Sequence, residues 1–474
     1  MQILNSSPSE QGIDPAGIAA FLDTLERETL IEPHGLIIQR HGRRVAEGYW
    51  HPYDNGRIRL LYSLSKTFTG TALALQLGEG RLRLDDLVSD HLPNEFIGAH
   101  ADLRGLRIRH IASMATGHDR ETLGEARAID AENVVRGFLR IAPAAAPGAL
   151  FAYNQPPVIA LATILQRLAG ERLIDYLRPR LFNPLAIGDV RSQQLSSGID
   201  PGFTGIYTNL DAVARLGQLY LDDGVCSGQR ILPEGWVSQA SATQVGNGAN
   251  TEPDWRQGYG FQLWRSRHGY RGDGAYGQYM VVLPEHATVV ALFSCAPNMQ
   301  HVLDLMWAHL LPALDHAPAR PGAADAALAE RLASLSLPTA RQRLGGAIPR
   351  HADGDYAPAA TVARTANDNR TIRSISVRGS DVTLHEAAGQ LRVPLIDGWS
   401  PAADGAVSAS ATRRSDGRVG IDLAFLATPH RLELTLDPAA RTFAARWPAP
   451  PIFGAGLGEN LCTMRAPEPG QQAG

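Results

Sequence analysis

Tyr62-Ser63-Leu64-Ser65-Lys66-Thr67-Phe68 opens a run of helical spacing that ends at Gly80 and carries the tetrad Ser-x-x-Lys. One helical turn separates Ser63 from Lys66, so the hydroxyl and the amine share a face and can exchange a proton. The helix start adds unpaired backbone N–H groups and the positive end of the helix dipole, both of which favour an alkoxide or a tetrahedral oxyanion at Ser63. The stretch therefore reads as a nucleophile with its own base. The plainer reading makes Ser63 a helix cap and Lys66 an incidental surface cation.

Composition separates the two readings. The chain holds 44 Lys plus Arg; 43 are arginine and the single lysine is Lys66. An arginine cannot serve as a proton acceptor, whereas a desolvated lysine can be moved toward neutrality. A sequence that uses arginine everywhere a surface cation suffices keeps its one titratable amine beside Ser63.

At 474 residues the chain is long enough for two or three folded units. A net charge of −4 without a basic stripe gives no electrostatic case for nucleic acid. The first 11 residues lack a basic segment and an apolar core, and no apolar run reaches the roughly 18 residues of a membrane span. Cys226, Cys295 and Cys462 are scattered and odd in number, which reads as reduced thiols of a cytoplasmic protein. The 15 histidines form no HxxxH or HxH pair, so a metal hydrolase is not expected.

Along the chain, residues 13–28 have the pattern of an amphipathic helix behind an Asp14-Pro15 cap. Residues 35–40 and 44–49 read as a hairpin, and 50–61 as a loop delivering the tetrad. Helical patterns follow through Leu221, with a Gly117-His118-Asp119 loop that either faces a cleft or caps a helix. Period-two runs at 259–264, 270–276, 278–283 and 288–294 predict adjacent antiparallel strands, and 302–314 a closing helix. The hairpin and the late strands are expected to share one antiparallel sheet flanked by helices, an α+β domain over 1–316. Residues 317–335 read as linker and short helix. Residues 336–474, with strand patterns at 372–377, 382–384, 391–394, 421–424, 431–436 and 442–447, predict a β-rich domain, a barrel or sandwich, with 467–474 disordered.

The order of motifs, the tetrad, then Tyr153-Asn154-Gln155, then Gly272-Asp273-Gly274, resembles the serine β-lactamase and penicillin-binding protein superfamily. It is most similar to the class C β-lactamase-like hydrolases, a group of esterases, D-peptidases and amidases. The resemblance covers roughly residues 10–315, including an all-helical subdomain, and extends more loosely to members with a lipocalin-like C-terminal domain. It implies that Ser63 is the nucleophile, Lys66 its base and Tyr153 a phenol that shares protons with both, the phenolate being favoured beside a lysine cation. It implies oxyanion donors at the Ser63 and Ala275 amides and substrate contacts from Gly274, Asp273, Gln155 and His118. Gln155 stands where asparagine is usual. At Gly272-Asp273-Gly274 the usual cation is missing and an acid is present, which disfavours a substrate carboxylate such as that of a penicillin. Asp273 reads equally as a turn residue, since Asp-Gly is a strong turn signal. Tyr53, Tyr62, Tyr207, Tyr259, Trp264 and Tyr276 are aromatic candidates for the cleft wall or for packing.

The expected activity is hydrolysis of a small ester, or of an amide or peptide with a D-residue or non-standard linkage, through an acyl-enzyme, needing no metal and no organic cofactor. The alternatives are a transpeptidase or peptide cyclase, in which an amine replaces water, and a ligand-binding protein that keeps the fold without turnover. Assembly is left open, a homo-oligomer included.

Overall fold

The computed structural model describes residues 3–315, 322–349, 352–359, 365–401, 406–454 and 456–460. Cys462, the segment 467–474 and residues 317–321 of the expected linker lie outside them. The chain divides into two compact units, Met1–Gly48 with Leu60–Ala333, and Tyr49–Arg59 with Ser334–Gly474.

In the first unit, helix α1 (Pro15–Arg27) starts where Asp14 accepts the Ala16 N–H at 2.9 Å and Pro15 fills the first turn. Strands β1 (Glu32–Arg40) and β2 (Arg43–Tyr49) are joined by His41 and Gly42, both with positive φ, as a two-residue type I′ hairpin requires. Helix α2 (Ser65–Gly78) carries the tetrad lysine, and its residues 65–76 are buried on every side. That explains a sequence with Thr, Gly, Ala and Leu around the whole circumference in place of a polar stripe. Helix α3 (Gln155–Ala169) ends at Gly170 in the left-handed conformation, and α4 (Leu210–Leu221) is capped by Asn209.

Strands β3 (Tyr270–Gly274), β4 (Gln278–Leu283) and β5 (Thr288–Cys295) complete the sheet. Its order is Leu4–Asn5, β2, β1, β5, β4, β3 and Trp264–Arg265, so the N-terminal hairpin and the late strands do share one sheet. The pairs β3–β4, β4–β5 and β5–β1 are antiparallel. Helices from residues 65 to 241 lie in sequence between the two halves of the sheet.

Two expectations shift locally. The strand expected at 259–264 is confined to Trp264–Arg265, because Gln262 takes a positive φ while its side chain donates to the Ala112 carbonyl at 2.7 Å. The closing helix at 302–314 runs as Met299–Leu305, a π turn at Met306–Leu310 and Leu311–Leu314.

Strand β3 runs unusually close to the start of α2. A Cβ on Gly272 would lie 2.3 Å from Thr67 Oγ1, and one on Gly274 only 2.0 Å from the Leu61 carbonyl oxygen. The glycines of this motif are there because no side chain fits between strand and helix.

The second unit is a sheet of β6 (Gly354–Pro358), β7 (Ser374–Arg378), β8 (Asp381–His385), β9 (Gln390–Pro394), β10 (Val407–Arg413), β11 (Val419–Phe425), β12 (Arg431–Asp437) and β13 (Thr442–Arg446). The order β9-β8-β7-β6-β13-β12-β11-β10 is nearly closed, with β9 and β10 approaching each other. Inward side chains such as Tyr356, Ile375, Leu384, Ile421, Phe425 and Trp447 fill it with an apolar core. The segment before the tetrad belongs to this unit. His51 exchanges backbone bonds with Leu335 and Leu337, and Arg59 donates to the Thr428 carbonyl at 3.2 Å while lying 4.5 Å from the Tyr53 ring centroid. Among the described residues no helix is long and apolar enough to cross a membrane.

Because Gly274 faces backbone rather than a movable side chain, Gly274→Ala is expected to cost about 3 kcal/mol or to push β3 off α2. Gly124→Ala, which meets open space, should be close to neutral. Thermal melts of the two variants check this.

Candidate active site

Ser63 sits in a single tight turn, Tyr62–Leu64, immediately before α2. Tyr62 enters that turn with φ 48°, a strained left-handed conformation for a bulky residue, and its ring packs edge-on against Tyr276 with centroids 5.8 Å apart. Tyr276 itself has φ 66°. The Ser63 turn and the turn at the end of β3 are thus both held in high-energy backbone conformations, and their tyrosine rings face each other.

Lys66 donates to Ser63 Oγ at 3.0 Å and to the Phe203 carbonyl at 3.0 Å. Its side chain is enclosed, with the residue 2% exposed, between the Tyr153 ring (4.7 Å from Nζ to the centroid) and the Phe203 ring (5.5 Å). The loop presenting Phe203 is locked to α2. Thr69 Oγ1 donates to the Gly202 carbonyl at 2.8 Å, and the Ile206 N–H donates to Ser65 Oγ at 3.1 Å. Burial brings the Lys66 amine down to about 7, opposed by the charges of Asp273 and Glu121. An amine near neutrality at hydrogen-bond distance from a serine hydroxyl can take its proton.

Tyr153 completes the cluster, with a hydrogen bond to Ser63. Here the expected phenolate is reversed. Burial, then the negative charge of Asp273, pushes the phenol well above its ordinary range, outweighing the Ser63 bond and the Arg271 charge. Lys66 is too close to neutral to act as the cation that would favour a phenolate. Burial thus acts on the two groups in opposite senses, toward a neutral amine and toward a protonated phenol.

Asp273 is not a turn residue. It lies inside β3, paired with Tyr279, and the turn is formed by residues 275–277, which places Ala275 one residue beyond the strand end. Its carboxylate is buried and accepts from Arg271 Nε at 2.9 Å. A cation therefore does stand beside the acid, supplied from the same strand two residues earlier. Arg271 is fully buried, 4.2 Å from the Trp255 ring centroid and 5.6 Å from that of Trp264.

Gln155 opens α3 with its side-chain oxygen buried and unpartnered, while Asn154 beside it accepts from the Thr122 N–H and hydroxyl, each at 3.0 Å. His118 is not brought to the site. Thr116 and the Ile141 carbonyl occupy its two ring nitrogens, its ring packs on Phe138, and it is 1% exposed, a core histidine. Tyr259 and Trp264 do gather around Tyr153, whereas Tyr207 accepts from Gln193 and Tyr53 lies in the second unit. Sequence reasoning missed Phe203, Glu121, Trp255 and Arg271. Only Arg271 had a legible signal, its two-residue spacing from Asp273 on one strand face.

With this geometry in place the comparisons are decisive about kinship. The Beta-lactamase family pattern matches residues 34–313, more than half of the chain. The chain belongs to the Beta-lactamase family. It is 27% identical over 273 residues to Penicillin-binding protein 4 of Amycolatopsis lactamdurans, covering 49% of this chain and 70% of that one. It is 24% identical over 326 residues to the 6-aminohexanoate-dimer hydrolase of Paenarthrobacter ureafaciens, covering 62% and 80%. A D-stereospecific amidohydrolase from Streptomyces shares the fold at a TM-score of 0.50 and 19% identity, covering 62% of this chain and 98% of that one. The chain is an enzyme of the β-lactamase-like serine hydrolase superfamily.

Since neutral Lys66 is the form that can act as base, kcat/KM for an uncharged ester should rise with pH through about 7 and then level. A limb near 10, the ordinary lysine range, would contradict this placement of the amine.

Proposed function

We propose that the chain hydrolyses an ester or amide bond through a covalent acyl-enzyme on Ser63. The observation that carries this reading is the 3.0 Å contact between Ser63 Oγ and an amine held near neutrality. Lys66 takes the hydroxyl proton as Oγ forms a bond to the substrate carbonyl carbon. The Ser63 and Ala275 amides, beside Gly274, receive the oxyanion. As the carbon to leaving-group bond breaks, Tyr153 gives its proton to the departing amine or alcohol and recovers one from Lys66. Water then attacks the acyl-enzyme, losing its proton to the same pair, and Ser63 Oγ leaves as the hydroxyl. No step calls on a metal or an organic cofactor.

The substrate reading is a linear amide or small ester that is not anionic next to the scissile bond. Asp273 argues against a carboxylate there, and the Gln155 oxygen, buried without a partner, suits a substrate N–H. A relative named for 6-aminohexanoate-dimer hydrolysis and a structural neighbour named as a D-stereospecific amidohydrolase favour the amide class.

The test is steady-state turnover with a panel of an uncharged nitrophenyl ester, a linear ω-amino amide and benzylpenicillin. Wild type should turn over the first two in preference to the third. Ser63→Ala and Lys66→Ala should each lower kcat by about 10³-fold or more. Near-normal turnover in either folded variant contradicts the assignment. Product mass separates the outcomes, since gain of water marks hydrolysis and gain of an added amine marks acyl transfer.

A further inference from the structure

The residues on the far side of β3 from the helix form a continuous series of contacts that the proposed reaction does not use. Gly272 and Gly274 face α2, so the alternate residues Arg271 and Asp273 face away from it. Asp273 accepts from Arg271 Nε at 2.9 Å and from the Trp264 indole. The Trp264 ring stacks on Tyr153, with centroids 5.3 Å apart and planes 18° from parallel. Tyr153 in turn covers the Lys66 amine at 4.7 Å and bonds Ser63. Arg271 is anchored from behind by the Arg265 carbonyl at 3.0 Å and Ser266 Oγ at 2.6 Å, and lies on Trp255. Each member is buried or half-buried, so little water is present to screen one group from the next.

We propose that Asp273, anchored by Arg271, is a positioning residue for the Ser63–Lys66–Tyr153 cluster: it orients Tyr153 through the Trp264 indole and supplies a fixed negative charge that acts on the Lys66 amine. This rests on the proposed function of those three residues. The two roles are separable by chemistry. An amide at 273 still accepts from the indole but carries no charge, whereas a methyl group does neither.

The groups facing Lys66 define what a change at 273 should do. From its own turn comes the Ser63 hydroxyl, from the loop before α4 the Phe203 carbonyl and ring, and from the start of α3 the Tyr153 phenol. Asp273 on β3 and Glu121, in the loop before Leu123–Ile129, are the two charges that act on the amine. Arg271 acts through Asp273. Both carboxylates favour the ammonium form, and burial opposes them. Removing the charge of Asp273 leaves burial less opposed, so the amine loses its proton at lower pH.

The single lysine of the sequence makes this directly visible. Protein grown with isotope-labelled lysine gives one lysine side-chain NMR signal, that of Lys66, whose pH titration needs no turnover. The expected result for Asp273→Asn is a Lys66 midpoint lower by about one pH unit, with the acidic limb of kcat/KM moving by the same amount. Asp273→Ala should move the midpoint similarly and also lower the pH-independent kcat about tenfold or more, with a smaller change in KM. Trp264→Phe, which keeps a ring against Tyr153 but removes the donor, should lower kcat and leave the Lys66 midpoint near that of wild type.

An unchanged Lys66 midpoint in folded Asp273→Asn overturns the charge role, and an unchanged kcat in Asp273→Ala overturns the orienting role. If Asp273→Asn melts early because Arg271 is left buried and unpaired, Arg271→Gln/Asp273→Asn removes the pair together. The same shift is expected there, and its absence is equally decisive. Failure of the proposed function reads out differently, as a wild type that does not turn over any acyl donor while its lysine signal still titrates.

Discussion

One amine, taken out of water, organises the catalytic unit. Lys66 can be buried because two acceptors, Ser63 Oγ and the Phe203 carbonyl, and two aromatic faces, Tyr153 and Phe203, receive it from all sides. A buried amine without such partners would cost several kcal/mol and destabilise the fold. Placing it at the first turn of a wholly buried helix makes that helix, and the loop locked to it through Thr69 and Ser65, the support that holds the amine in place. The same burial that moves the amine toward neutrality favours the phenol form of Tyr153, so one environment shifts the two groups in opposite directions.

The rest of the first unit serves to bring a second element against that helix. The sheet delivers β3 to the start of α2 at a separation only glycine permits, and ends it in a turn that faces the Ser63 turn. Strain is concentrated at Tyr62 and Tyr276, the two non-glycine residues forced into left-handed backbone on either side of that approach. Such conformations persist only where the surroundings over-determine them, here the Tyr62–Tyr276 ring contact, the antiparallel pairing of β3 to β4 and the burial of α2. On the outer face of β3 an arginine is paired with an aspartate, so the strand presents a buried ion pair in place of a free cation.

What the sequence made legible is what has a short-range signature. The Ser63–Lys66 spacing, the His41–Gly42 hairpin, the Asp14-Pro15 cap and the strands expected at 278–283 and 288–294 depend on residues close in the chain. The sequence reading failed where a long-range contact decides. His118, which reads either as facing a cleft or as part of a helix cap and which the resemblance places in the site, is a core residue bonded to Ile141. Of the two readings of Asp273, the turn gives way and the expected strand at 270–276 reaches Gly274, which is required by Leu61 and not by a reversal of chain. Phe203 and Glu121 carry no local mark of proximity to Lys66, and β10, a run of Ser, Ala and Thr with weak strand preference, is held by its neighbours on the barrel-like sheet. The Tyr153 phenolate was misjudged for a related reason: the lysine expected to stabilise it is itself held near neutrality by burial.

The most direct measurement is intact-protein mass over time after mixing with an uncharged active ester whose acyl group leaves slowly, followed by tryptic digestion. Cleavage after Arg59 and Lys66 isolates residues 60–66, which hold Ser63 and Ser65. The account requires a transient adduct of one acyl group on Ser63, absent from Ser63→Ala, appearing faster as pH rises through about 7. A wild type that releases product with no adduct, or an adduct that maps to Ser65 or persists unchanged in Ser63→Ala, would contradict it.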